Sequence, residues 1–196
     1  MGIYEVIMMS EDKKVRVLGI VGSPRRGGNT ETLVDEVLLG AEEAGGKTEK
    51  AILNEVEVNP CQACDKCYKD GGCVHDDDLE AIIKTMKESE IWVLGTPVYW
   101  WGPTAQMKAF IDRWYGIERA VFRGRGVILV VPSSGGSVYA KQTVEIFESI
   151  IPYLEMEHVR TIQAPGTSGP GSVRSDARMM KAAWTAGHEA VKKLGG

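Results

Sequence analysis

Five times along this chain, an apolar run of strand length gives way to a polar turn and then to a segment with helical spacing. The runs are residues 15–21, 47–58, 91–95, 126–131 and 158–164. Runs as continuously apolar as 91–95 and 126–131 need cover on both faces, which a parallel sheet provides. The segments between them carry the 3.6-residue period. Leu33, Val34, Val37, Leu38 and Ala41, for example, form one apolar stripe. Such alternation predicts an α/β architecture, a parallel sheet with helices on both faces. Helices are expected from residue 31 to about 44, stopped by Gly45-Gly46, then over 76–89, 104–115, 138–154 and 174–194. The run 47–58 is weaker and partly alternating, which places it near the sheet edge. Ligands of such sheets bind outside the carboxyl ends of the strands, so the turns after runs one, three and four share one edge.

Those turns are chemically distinctive. The first reads Gly22-Ser-Pro-Arg-Arg-Gly-Gly-Asn-Thr30 and opens into a helix. A helix start presents free N–H groups and partial positive charge, and Arg25 and Arg26 add more. This turn suits the phosphate of a mononucleotide, unless it is an ordinary capped βα turn. It is not the dinucleotide fingerprint, which needs Gly-x-Gly-x-x-Gly after the strand. The second, Thr96-Pro-Val-Tyr-Trp-Trp-Gly102, places three aromatics where a flat heterocycle could stack, or where a core or subunit contact could form. Gly102 would let backbone approach a ligand closely. The third, Ser133-Ser-Gly-Gly136, offers hydroxyl and N–H donors, or is a plain turn of small residues.

The four cysteines fall together as Cys61-x2-Cys64-x2-Cys67-x5-Cys73, in a segment, 60–74, that is loop by composition. Close Cys-x2-Cys-x2-Cys spacing lets one loop wrap an iron–sulfur cube, with Gly71-Gly72 bending the chain back to Cys73. Structural zinc more often takes two separated pairs, and free or redox-active thiols are the third reading. His75 is either a substitute ligand or a solvated neighbour.

Other classes are excluded. The 23 Lys and Arg against 27 Asp and Glu give a net charge of −4, without the basic field of a nucleic-acid binder. No apolar stretch reaches the roughly 18 residues of a membrane span. The first ten residues lack the pattern of a secretion signal, and Val6 stands where a myristoylation signal needs Ser or Thr. A cytoplasmic location is the expectation. Residues 1–14 are expected to be an N-terminal extension, and 15–196 one domain.

The first turn, together with 96–102 and Gln106-Met-Lys-Ala-Phe-Ile-Asp-Arg113, resembles the flavodoxin-like, NAD(P)H-dependent FMN reductases. The cysteine run resembles that of the iron–sulfur flavoproteins of anaerobic archaea and bacteria. The likeness runs from about residue 15 to the fifth strand and leaves out the arm and the 165–172 loop. It implies a three-layer flavodoxin-like fold with a five-stranded parallel sheet in the order 2-1-3-4-5. It further implies FMN, a [4Fe–4S] cluster, a homodimer or homotetramer, and ferredoxin or NAD(P)H as electron donor. By that resemblance Ser23, Arg25, Asn29, Thr30 and Thr32 hold the FMN phosphate. Pro97, Val98, Tyr99, Trp100, Trp101 and Gly102 flank the ribityl chain and ring, with Ser133, Ser134, Gly135 and Gly136. Cys61, Cys64, Cys67 and Cys73 ligate iron. No catalytic acid, base or nucleophile is expected, because the flavin carries the chemistry. The competing readings are a cluster-free NAD(P)H-dependent FMN or quinone reductase and a zinc-stabilised binding module.

Overall fold

A computed structural model of the protein describes residues 14–195. The N-terminal extension expected over residues 1–14 lies, but for its last residue, outside the described residues. Five strands form one parallel sheet: β1 (Arg16–Val21), β2 (Lys47–Ile52), β3 (Ile91–Gly95), β4 (Gly126–Ser133) and β5 (Glu157–Pro165). Their order is β2-β1-β3-β4-β5, as the resemblance implies. Strand order reverses at β1/β3, the position where sheets of this kind leave a crevice for a ligand.

Alternation along each strand divides the core into two layers. Leu18, Ile20, Trp92, Leu94, Leu129 and Val131 face one side. There they meet α3 (Leu79–Glu88), α4 (Ala105–Asp112) and α5 (Lys141–Tyr153). Val17, Val21, Val93, Ile128 and Val130 face the other side, against α1 (Asn29–Glu43) and α6 (Ala177–Gly195). The two latter helices cross at glycine. A Cβ on Gly40 would lie 2.0 Å from the Trp184 carbonyl oxygen, and one on Gly187 would lie 1.9 Å from that of Val37. Aromatic rings pack this first layer, with Trp92 on Phe122 (5.8 Å) and Phe110 on Trp114 (5.5 Å), both edge-to-face.

Several boundaries differ from the sequence expectation. β2 ends at Ile52, not 58, because its register partner Val21 is the last residue of β1 and the ladder has nothing further to pair with. Leu53–Glu55 then forms a 3₁₀ turn with Leu53 buried. The cysteine segment contains one helical turn, α2 (Lys66–Lys69). α3 begins at Leu79 instead of 76, because Asp77 and Asp78 are drawn to the backbone of residues 57–59. A 3₁₀ turn, Ser137–Ala140, precedes α5, and another, Arg113–Gly116, follows α4. Among the described residues no helix is long and apolar enough to cross a membrane.

Candidate functional site

The turns after β1, β3 and β4 do meet at the carboxyl edge of the sheet, and they are stitched into a ring. Between the turns after β1 and β3, Thr104 Oγ1 donates to the Gly22 carbonyl (2.6 Å) and Gly22 N–H donates to Gly95 O (2.7 Å). Thr104 N–H donates to Thr96 Oγ1 (3.1 Å), and the same Thr104 hydroxyl caps α4 by accepting from Met107 N–H (3.2 Å). Between the turns after β3 and β4, Val98 N–H donates to Pro132 O (3.2 Å). The loop after β5 then joins the turn after β4, with Gly166 N–H to Gly135 O (2.9 Å) and Thr167 N–H to Ser133 O (3.0 Å). Asn29 closes the ring back to turn one. Its Nδ2 donates to Thr167 O (3.1 Å) and Gly169 O (2.9 Å), and its Oδ1 accepts from Val173 N–H (2.9 Å) and Ser172 Oγ (3.4 Å).

The ring surrounds a cavity of about 310 Å3. Ser23, Arg25, Gly28, Asn29, Thr30, Pro97, Val98, Tyr99, Ser133 and Ser134 line it, with Pro132, Thr167, Ser168 and Pro170. Nearly all of the residues that the resemblance assigns to FMN are therefore here or next door. An adjoining cavity of about 390 Å3 shares Val98, Ser133 and Ser134 and adds Trp100, Trp101, Gly135 and Tyr139. Thr32 lines neither. It is buried in the first turn of α1, and its hydroxyl has no hydrogen-bond partner among the described residues. Gly102 closes the aromatic turn, and Gly136 precedes the turn before α5.

The electrostatics favour an anion. α1 is 15 residues long, and its first helical bond is Thr32 N–H to Gly28 O (2.9 Å), which leaves the preceding N–H groups for a ligand. Arg25 lines the cavity, and its guanidinium makes no ion pair among the described residues. Arg26 is directed elsewhere, to Glu31 (3.0 Å) and Glu55 (2.9 Å). Glu31 braces the loop from beneath by accepting from Gly27 N–H (2.7 Å) and Lys50 Nζ (3.0 Å). Burial pushes its carboxyl upward, but Gly27 N–H, Lys50 and Arg26 outweigh that and hold it below the usual range.

The aromatic turn is strained. Tyr99 and Gly102 exchange both backbone hydrogen bonds (2.9 and 3.0 Å), which puts Trp100 (φ 50°) and Trp101 (φ 62°) at the two central positions. Both are left-handed, a conformation suited to Asn-Gly, and hold here partly because Thr143 Oγ1 donates to Trp101 O (2.9 Å). Trp100 is 92% exposed, and Trp101 leans on Tyr139 (6.2 Å). Sequence reasoning missed Tyr139 and the 167–170 wall; the glycine- and proline-rich composition of 165–172 was the available signal.

All four cysteines line a second cavity of about 600 Å3, which shares no residue with the first. Cys61, Cys64 and Cys73 are exposed and Cys67 half-buried against Gly116, where a Cβ would come within 3.1 Å of its Sγ. Left-handed residues recur here: Ala63, Asp65, Gly71 and Gly72. The sulfurs are not gathered, and among the described residues no group of three His, Cys, Asp or Glu is placed to hold an ion. The donor set suits an iron–sulfur cluster, and the loop has the turns to wrap one. The neck of this loop is closed by a buried ion pair, Arg113 Nη1 to Asp77 Oδ2 (2.7 Å), with side chains 3% and 1% exposed. Arg113 also donates to Asn59 O (2.9 Å), Asp77 accepts from Asn59 N–H (2.9 Å), and His75 Nε2 lies 3.1 Å from Pro60 O.

Residues 15–166 match the family model of the NADPH-dependent FMN reductases. The chain belongs to that family. It is 46% identical over 99 residues to an iron–sulfur flavoprotein of Methanocaldococcus jannaschii, covering 50% of this chain and 51% of that protein. It is 36% identical over 145 residues to one of Archaeoglobus fulgidus, covering 69% and 74%. The chain thus spans about half the length of the first relative it matches. Among solved structures, an NAD(P)H:quinone oxidoreductase from Methanothermobacter marburgensis superposes with a TM-score of 0.70 at 14% identity, over 90% of this chain and 95% of that one. At that identity the likeness concerns the fold.

Proposed function

We propose that the protein is an FMN-dependent oxidoreductase that also carries a [4Fe–4S] cluster and passes electrons between the two. The observation that carries the reading is the cavity where the turns after β1, β3 and β4 converge on the free end of α1. Bound FMN would supply two-electron acceptance and one-electron release. Ser23, Arg25, Thr30 and the first N–H groups of α1 hold its phosphate. Pro97–Gly102 and Ser133–Gly136 flank the ribityl chain and ring, and the rims of Trp101 and Tyr139 exclude water from one side. Cys61, Cys64, Cys67 and Cys73 hold the cluster, a one-electron carrier. The relatives named as iron–sulfur flavoproteins support this assignment. NAD(P)H or ferredoxin serves as donor, and the exposed Trp100 rim suits a homodimer or homotetramer contact.

Protein purified without oxygen is expected to be brown, with FMN and acid-labile sulfide. The ungathered thiols favour a second reading, a cluster-free NAD(P)H-dependent FMN or quinone reductase. Yellow protein free of iron and bleached by NADPH would select it. Colourless protein with stoichiometric zinc and no affinity for FMN would defeat both.

A further inference from the structure

The family match ends at residue 166, yet the cavity wall continues past it through Thr167, Ser168 and Pro170. We infer that Ser168 is a ligand of the bound phosphate and that Asn29 is a positioning residue that holds Ser168 there. This inference rests on the FMN reading above. An asparagine side chain has two N–H donors and two acceptor sites. All four of Asn29's are used on the 167–173 segment, so its side chain has no capacity left for a phosphate. The two carbonyls it grips, those of Thr167 and Gly169, flank Ser168 on either side. The orientation of Ser168 is therefore set by Asn29.

Ser168 has what the site wants. It lines the same cavity as Ser23, Arg25, Gly28 and Thr30, and neither its hydroxyl nor its N–H has a partner among the described residues. Thr167 is a poorer candidate, because its hydroxyl already donates to Ala164 O (3.0 Å) and sits 3.3 Å from Ser133 O. The segment is held closely to the phosphate loop. Arg174 Nη1 donates to Gly27 O (3.3 Å), and Gly171, at φ 64°, leaves only 3.1 Å between an added Cβ and that same oxygen. A side chain there would be strained by the left-handed backbone and would displace the Arg174 guanidinium, which lies 1.9 Å from the added Cβ.

The test compares FMN with riboflavin, which lacks the phosphate, by fluorescence quenching on flavin-depleted full-length protein. Ser168→Ala should weaken FMN roughly five- to twenty-fold, the loss of one hydrogen bond to a charged group partly replaced by water. Riboflavin affinity should stay within about two-fold, since only the phosphate contact is removed. Asn29→Ala should weaken FMN at least as much, and adding Ser168→Ala to it should cost nothing further, because an unheld serine is already lost. Equal changes for the two flavins, no change, or additive losses overturn the inference while wild-type preference for FMN keeps the functional reading in place. Wild-type protein that does not prefer FMN overturns both. If Asn29→Ala fails to fold, the single Ser168→Ala comparison decides.

Discussion

Replacing Asp77 by Asn should be a costly isosteric change. Asp77 accepts from Arg113 Nη1 (2.7 Å) and Nη2 (3.3 Å), from Asn59 N–H (2.9 Å) and from Leu79 N–H (3.3 Å). The variant keeps the shape but leaves the Arg113 guanidinium buried without its counter-charge. Breaking one side of a buried pair costs about 3–5 kcal/mol. For a chain of this size that corresponds to a fall in Tm of roughly 6–20 °C. Urea unfolding and thermal melts measure it. A second variant separates charge from packing: Asp77→Asn with Arg113→Met removes the orphaned cation and should recover part of the loss. The neck of the cysteine loop loosens in the single variant, so the iron that the proposed cluster would bring should fall as well.

The pH dependence follows with a definite sign. Burial pushes the Asp77 carboxyl up, but the Arg113 guanidinium and the Asn59 and Leu79 N–H groups outweigh burial and hold it below the usual range. A depressed carboxyl contributes its full stability above its unfolded value, about 3.9, and loses it as pH falls through the folded value. The stability gap between wild type and Asp77→Asn should therefore be flat above about pH 5 and shrink below about pH 4. A gap under about 1 kcal/mol at neutral pH, or one that persists undiminished at strongly acid pH, refutes the reasoning.

Gly187→Ala should destabilise by about 3 kcal/mol or more, because its Cβ would enter the Val37 carbonyl and force α6 away from α1; a melt within about a degree of wild type contradicts the close crossing. Glu31→Gln should cost about 1–2 kcal/mol at neutral pH, since Glu31 is buried and holds Gly27 N–H, Lys50 and Arg26 together. That loss should also vanish toward acid pH, where the wild-type carboxylate is itself protonated. Trp100→Gly should raise stability by roughly 0.5–1 kcal/mol by relieving a left-handed side chain that touches little. Its NAD(P)H-driven turnover should fall if the exposed ring serves the site, and a destabilised variant would count against the strain argument.

The outline of the fold was legible because periodicity is local. Residues 91–95 and 126–131 announce buried parallel strands by composition alone, and the turns that follow them had to share an edge. What sequence could not reveal is which side chains act across the chain. Asn29 opens a helix in a phosphate-like loop, and by local rules it belongs to the ligand. Its side chain is instead saturated by residues 138 to 144 positions away. The three acids at 76–78 look like a helix cap, yet Asp77 is bound to Arg113, 36 positions on, and shuts the cysteine loop. In both cases a short polar side chain near a helix start is held chiefly by long-range partners. The consequence for the site is specific. One asparagine cannot both hold the wall and hold the anion, so if the anion is held at the far side of the cavity, another donor has to stand there. Ser168 is the unpartnered donor that the wall presents.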